Sequence, residues 1–163
     1  MPDRQMNTAY MKRLELLIPP PLVMLILGAI MWLLPAIFPA LTLTWLQRAA
    51  VGALISLLGL IISLAGIATF RHANTTIDPK RPADAASLVS SGIYRYSRNP
   101  MYLGVLLVLI GWAVYLGNML SVLAALAFIP FITRFQIMPE ERLLTDKFPS
   151  EFPAYMRTVR RWL

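Results

Sequence analysis

Long apolar runs separated by polar connections dominate the chain. The apolar core of a bilayer is about 30 Å thick and needs roughly 20 apolar residues as a helix. Stretches of close to this length cover residues 17–38, 46–70, 101–116 and 119–135. This pattern predicts an all-α integral membrane protein with four transmembrane helices, in a single domain that covers residues 1–163.

Turn and proline signals divide the second half of the chain. Gly117 and Asn118 lie between the last two apolar runs and predict a tight helical hairpin. In segment 136–163, Pro139 and Pro153 are placed to open two short helices in which apolar residues alternate with charges. We expect amphipathic cytosolic helices there, lying at the membrane surface and ending near Phe148 and Trp162.

The end of segment 136–163 combines an aromatic residue with two cations. Arg160, Arg161 and Trp162 are adjacent. Long basic side chains and tryptophan commonly keep a polar end in water while their apolar parts remain in the lipid. We expect these three residues to anchor the chain at the membrane interface.

Composition supports a membrane protein and removes several kinds of site. Hydrophobic residues make up 58% of the chain and charged residues 14%, whereas soluble domains have about 25% charged residues. There is no cysteine, so disulfides and cysteine–zinc sites are excluded. The single histidine, His72, leaves histidine-rich metal sites and a Ser-His-Asp triad little to build on, and no metal site is expected. We attribute the net charge of +7 to contact with anionic lipid and expect no nucleic-acid partner.

The basic residues orient the chain. All of the 15 except Arg48 lie before the first span, between the second and third, or in the C-terminal region that begins with Arg134 at the end of the fourth. Basic residues favour the cytoplasmic side of a membrane. With four spans, these three segments share one side, so both termini and the 71–100 connection are expected to be cytoplasmic.

Small residues form a stripe along the second span. They recur at steps of three and four, at Ala49, Gly52, Ser56, Gly59, Ser63 and Gly66. Small residues let helices approach closely in lipid. One interpretation is a homodimer through the Gly52, Gly59 and Gly66 face. The other, which we favour, is packing against another span of the same chain.

Polar residues of candidate chemical importance flank the third and fourth spans, and each also has a structural interpretation. Asn99 before Pro100 is a good helix cap. Arg95 and Arg98 suit lipid phosphates, and the tyrosines 94, 96 and 102 suit an interfacial aromatic belt. Glu140 and Glu141 follow Pro139, where a helix dipole favours carboxylates.

Taken together, these residues form a longer pattern. From Leu88 to Gly104 the chain has a Leu-Val pair, Gly-x-Tyr-Arg, and Arg-Asn-Pro-x-Tyr-x-Gly leading into a helix. A tight hairpin, a Glu-Glu pair and an end rich in Tyr and Arg follow. This order resembles the isoprenylcysteine carboxyl methyltransferase family and its phospholipid methyltransferase relatives, over residues 71–163.

The resemblance implies a membrane enzyme that uses S-adenosyl-L-methionine, releases S-adenosyl-L-homocysteine and takes a lipophilic acceptor from the bilayer. The implied acceptors are a prenylcysteine carboxylate, a phospholipid amine or another small lipophilic nucleophile. The implied cofactor residues are Leu88, Val89, Gly92, Tyr94, Arg98, Asn99, Pro100, Met101 and Tyr102. The implied catalytic residues are Glu140, Glu141, Arg134 and Gln136.

Two positions depart from the family pattern. The usual histidine of Arg-His-Pro is Asn99 here, and Gln136 stands where the prenylcysteine enzymes have a substrate-binding arginine four residues before a glutamate. Two alternatives to a methyltransferase are an NADPH-dependent reductase of the sterol-reductase type and a non-catalytic lipid-binding scaffold. We expect the bacterial inner membrane rather than the endoplasmic reticulum, with the site facing the cytoplasm.

The orientation predicts the behaviour of reporter fusions. A reporter fused after Leu163 should read as cytoplasmic, and one inserted near residue 40 should read as external, because the basic segments lie on one side. Paired enzymatic reporters that are active on opposite sides of the membrane measure this directly. A cytoplasmic reading at residue 40 would contradict the four-span topology.

Overall fold

The computed structural model describes residues 15–36, 44–73 and 87–163, and the secondary structure of these ranges is entirely helical. The helices are α1 (Pro20–Leu33), α2 (Trp45–His72), α3 (Pro100–Leu116), α4 (Met119–Ile132), α5 (Met138–Lys147) and α6 (Glu151–Thr158). Short 3-10 turns cover Leu34–Ala36 and Gly92–Arg95, and a π-helical segment covers Thr133–Ile137.

Two of the described helical stretches are long and apolar enough to cross a membrane. These are Trp45–His72, with 28 residues, and Met119–Lys147, with 29 residues. The apolar helices α1 and α3 are shorter, with 14 and 17 residues. The prediction of an all-α membrane protein therefore agrees with the described structure, while four crossings and the orientation remain predictions.

The first two spans differ slightly from their predicted bounds. α1 begins at Pro20, after Pro19. Proline is tolerated there because the N–H that it lacks would have no partner in the first turn of a helix. The helix ends at Leu33, and residues 37 and 38 of the predicted span lie outside the described residues. α2 runs on to His72, and residues 74–86 of the 71–100 connection also lie outside the description.

The stripe of small residues on α2 packs against α3 of the same chain. A Cβ placed on Gly59 would lie 2.5 Å from the backbone oxygen of Gly104, and one on Gly52 would lie 2.6 Å from that of Gly111. Ser63 Oγ donates to the carbonyl of Met101 at 3.2 Å. The structure thus shows the intramolecular packing of this face.

The hairpin between α3 and α4 forms as predicted. Gly117 adopts φ +66°, in the left-handed region that favours glycine, and Asn118 Oδ1 accepts from the backbone N–H of Leu120 at 2.9 Å. Arg48 of α2 reaches this turn and donates from Nη1 to the carbonyl of Leu116 at 3.3 Å. Its guanidinium thereby meets the C-terminal end of α3.

α1 completes the bundle by packing on α3 and α4. Met31, Leu109 and Phe128, one from each helix, are almost fully buried where the three meet. Ser121 Oγ also donates to the carbonyl of Met31 at 3.3 Å. α2, in contrast, contacts the bundle through α3 and leaves a broad apolar face exposed, as a lipid-facing helix does.

The predicted helix break before Pro139 is wrong. α4, the π segment and α5 follow one another without interruption, so Pro139 lies inside a helix instead of opening one. Proline leaves the carbonyl four residues earlier without a helical donor. That carbonyl, of Phe135, accepts from the backbone N–H of Leu16 at 3.0 Å.

The final helix is also shifted from its prediction. α6 covers Glu151–Thr158, whereas the sequence pattern placed a helix from Pro153 to Trp162. Val159 is extended, with φ −123° and ψ 132°. Residues 159–163, here called the tail, therefore leave the helix and return toward α3.

A substitution at the α2–α3 contact tests the close packing. Gly59→Ala should lower the free energy of unfolding by about 1–3 kcal/mol, because its Cβ would overlap backbone atoms of α3. Thermal unfolding in detergent measures the change. Gly28→Ala in α1 is the matched control, since a Cβ there meets no atom within 4 Å. Equal melting temperatures for the two variants would contradict the packing described.

Candidate functional site

The tail closes one side of the candidate site. It lies against residues 97–99, just before α3, where the backbone N–H of Arg98 donates to the carbonyl of Arg160 at 3.0 Å. Asn99 Nδ2 donates to the carbonyl of Arg161 at 2.9 Å. Trp162 Nε1 donates to Thr133 Oγ1 at the start of the π segment, at 3.3 Å. The tail thus connects the start of α3 to the end of α4.

Glu141 joins three segments through ion pairs. Its carboxylate lies 3.1 Å from Arg98 Nη2 and accepts from Arg161 Nε and Nη2 at 3.1 and 2.7 Å. The two-pronged Arg161 contact is the strongest geometry available to a carboxylate. Glu141 therefore holds α5, the start of α3 and the tail together, which is a structural role.

Glu140 has different partners. Tyr102 OH donates to its Oε1 at 2.7 Å, and Gln136 Nε2 donates to the same oxygen at 2.9 Å. Gln136 is only 2% exposed. Both hydrogen bonds end on the same carboxylate oxygen, Oε1. The predicted group of Tyr102, Gln136 and Glu140 is thus brought together by α3 and the π segment.

The continuous helix removes the simplest structural interpretation of the two glutamates. A dipole favours carboxylates at a free helix N-terminus, where the first N–H groups lack partners. Ile137, the residue before α5, is itself helical, so no such free end exists here. Glu140 and Glu141 consequently owe their positions to their side-chain partners.

Tyr94 and Arg98 carry buried polar atoms that lack partners among the described residues. These atoms are Tyr94 OH and Arg98 Nε and Nη1. Burial raises the pKa of Tyr94 far above its usual range, with smaller contributions from Tyr155 and Glu140. Its hydroxyl therefore stays protonated and, like the two arginine N–H groups, can donate to a ligand. Buried donors without acceptors are rare in native proteins.

Local packing explains the position of Tyr94. The 3-10 turn begins at Gly92, which has φ +57° and where a Cβ would lie 2.9 Å from Thr69 Oγ1 of α2. The turn then places the Tyr94 ring edge-on to Phe70, with ring centres 5.2 Å apart. Tyr155 OH donates to the Tyr94 carbonyl at 2.6 Å, and burial raises the pKa of Tyr155 to about 12.

Several structural interpretations of these residues are wrong. Asn99 lies at the N-cap but makes no side-chain cap hydrogen bond, because its amide binds the tail. Tyr94 and Tyr102 are 4% and 9% exposed, so neither belongs to an interfacial belt, whereas Tyr96, at 76%, fits one. Arg161 binds Glu141 instead of anchoring the chain in lipid.

The remaining predicted residues occupy varied positions. Pro100 is the buried first residue of α3, Met101 contacts Gly66 of α2, and Val89 is buried. Leu88 instead lines a cleft of about 600 Å³ beside α6, together with Arg95 and Glu151. It is thus a neighbour of α6.

Arg134 does not join the Glu140 group either. Its Nη1 donates to Glu15 Oε1 at 2.6 Å, and Arg142 Nη2 donates to Glu15 Oε2. Both cations nearest to Glu140 along the helix are therefore held by a residue from before α1. Neither is left to meet a ligand at Glu140.

The structure adds residues that the sequence interpretation missed. Arg161, Tyr155 and Glu15 contact partners 20 to 127 positions away in the chain. No local spacing encodes such pairs. The local signal was the concentration of Tyr and Arg near the chain end, which we interpreted as membrane anchoring and as part of the family resemblance.

Comparison with known proteins identifies the family. The model of the phospholipid methyltransferase family matches residues 47–151, which include most of α2, all of α3 to α5, and Tyr94, Tyr102 and Glu140. The chain belongs to the phospholipid methyltransferase family.

A relative from Haemophilus influenzae is 48% identical over 63 residues, which are 39% of this chain and the whole of that protein. It is described only as an uncharacterized protein. No solved structure matches the chain significantly.

The Asn99 contact yields a prediction opposite to that for a helix cap. As a cap, Asn99→Asp would be neutral, since both residues cap equally well. Here the aspartate would lose the donor to Arg161 and place a carboxylate against a carbonyl. We expect about 1–3 kcal/mol lower unfolding free energy, measured by thermal unfolding, and faster proteolysis of the tail.

Tyr96→Ala, an exposed change in the same loop, is the control and should leave both measurements unchanged. Wild-type stability and proteolysis for Asn99→Asp would show that the amide contact with the tail contributes nothing.

Proposed function

We propose that this protein transfers a methyl group from S-adenosyl-L-methionine to a lipophilic acceptor within the bilayer. Its family and its apolar helices support the reaction class and the membrane location. The predicted orientation places the site at the cytoplasmic face, and the Haemophilus relative favours a bacterial inner membrane. The observations that carry the proposal are the buried donors on Tyr94 and Arg98 that lack partners among the described residues and the Glu140 carboxylate held by Tyr102 and Gln136.

These residues fit the charges of the cofactor. When bound, S-adenosyl-L-methionine supplies a methyl group activated by a positively charged sulfur, together with a carboxylate and an ammonium. The unpartnered Nε and Nη1 of Arg98 suit the carboxylate. The rings of Tyr94 and Tyr102 suit the sulfonium through cation–π attraction.

The charges around Glu140 favour an amine as acceptor. A carboxylate acceptor needs a cation to bind it, yet Gln136 is neutral and both Arg134 and Arg142 are bound to Glu15. An acceptor amine arrives protonated, and its nitrogen must lose a proton before it can take a methyl group. We expect the Glu140 carboxylate to hold the ammonium and to receive that proton.

Ligand binding by the detergent-purified protein tests the reaction class. We expect saturable binding of S-adenosyl-L-homocysteine, and transfer of label from radiolabelled cofactor to a lipid amine in a crude lipid extract. Binding of NADPH in its place would favour a membrane reductase, and binding of neither would favour a lipid-binding scaffold. Labelling of a carboxylate, as a base-labile methyl ester, would overturn the amine assignment.

Glu140 should be essential for turnover. In Glu140→Gln the amide cannot receive a proton and holds a cation poorly, so we expect about a tenfold to hundredfold loss of kcat/KM, corresponding to roughly 1.5–3 kcal/mol for a charged hydrogen bond. Radiolabel transfer measures it. Asp146→Asn, an exposed change on the same helix, is the control. A Glu140→Gln enzyme with wild-type kcat/KM would remove Glu140 from the site.

A further inference from the structure

A segment that precedes α1 is attached to the helix that carries Glu140. Three contacts join them. The backbone N–H of Leu16 donates to the carbonyl of Phe135, and Glu15 accepts from Arg134 and from Arg142. The two arginines lie on either side of Pro139, so Glu15 spans the part of the helix that contains Gln136 and Glu140.

The helix needs such a support at this place. Pro139 deprives the Phe135 carbonyl of its helical donor, and the π segment contains one residue more per turn than a regular helix does. If the extra residue were lost or moved along the helix, the following side chains would turn by roughly 100° about the axis. Glu140 would then leave Tyr102.

The supporting segment itself is held in an unusual conformation. Leu16 has φ +59°, a left-handed conformation that residues other than glycine rarely adopt. Such a conformation persists only when surrounding contacts hold it. The Glu15 carboxylate, whose side chain is 11% exposed, supplies two of these contacts.

We infer that Glu15 is a positioning residue for the reaction. By binding Arg134 and Arg142 it holds the π segment in the register that places Gln136 and Glu140 against Tyr102. The effect on turnover rests on the function proposed above, whereas the effect on the helix does not depend on it.

Glu15→Gln, which keeps the shape and removes the charge, tests the inference with two kinds of measurement. Hydrogen–deuterium exchange, read by mass spectrometry, should show faster exchange in residues 133–141 and little change in α2. In methyl transfer, kcat should fall about tenfold while affinity for S-adenosyl-L-homocysteine stays within about threefold, since Tyr94 and Arg98 are untouched. Arg157→Gln in α6, an exposed basic residue, is the control and should alter neither.

The double variant Glu15→Gln/Arg142→Gln separates a shared role from independent ones. If the two residues act through each other, the double variant should lose no more kcat than Glu15→Gln alone. Unchanged exchange in residues 133–141 for Glu15→Gln would overturn the inference whether or not the wild-type protein methylates. Faster exchange together with wild-type kcat would overturn it as well. If kcat and the affinity for S-adenosyl-L-homocysteine fell by the same factor, Glu15 would have a general structural role and the inference would also be overturned.

Discussion

The close approach of α2 and α3 is the contact on which the site depends. Lipid tails are as apolar as leucine, so burying apolar side chains gives membrane helices little reason to associate. Glycines instead let the two backbones meet at Gly52 and Gly59. At the end of the same seam, Gly66 leaves room for Met101 and for the Tyr94 hydroxyl. The contact that holds the helices together therefore also positions an aromatic wall of the site.

The opposite wall depends on a helix that proline distorts without ending. Pro139 follows the π segment, and the helix continues through both. Gln136 and Glu140 are four positions apart and share a face, so that one amide and one tyrosine hydroxyl hold the same carboxylate oxygen. π segments are frequent at functional sites, and here the irregularity coincides with the acidic group that we place in the reaction.

The sequence pattern predicts the helices well because apolar length and turn residues act locally. The apolar runs led to α1, α2, α3 and α4, and Gly117 led to the hairpin. The family pattern alone assigns Tyr102 and Glu140 to one site.

Contacts between distant segments could not be predicted in this way. Asn99 followed by Pro100 matches a capping signal, yet the amide binds a carbonyl 62 positions later in the chain. Glu15 lies in a short polar stretch before an apolar run, and its partners are 119 and 127 positions away. Proline is typical of a helix start, so Pro139 predicts one. The helix continues through it because the N–H of Leu16, far away in the chain, donates to the Phe135 carbonyl that proline leaves without a partner.

Arg48 has a consequence for how the chain enters the membrane. In the proposed orientation it lies at the external end of α2, where a basic residue opposes translocation. Its guanidinium binds the carbonyl of Leu116 at the end of α3, where the partial negative charge of the helix suits a cation. That partner follows Arg48 by 68 positions, so in this orientation α2 would be synthesised before the carbonyl that binds its arginine. Insertion of α3 would then supply the partner, and the third helix would stabilise the proposed topology of the first two.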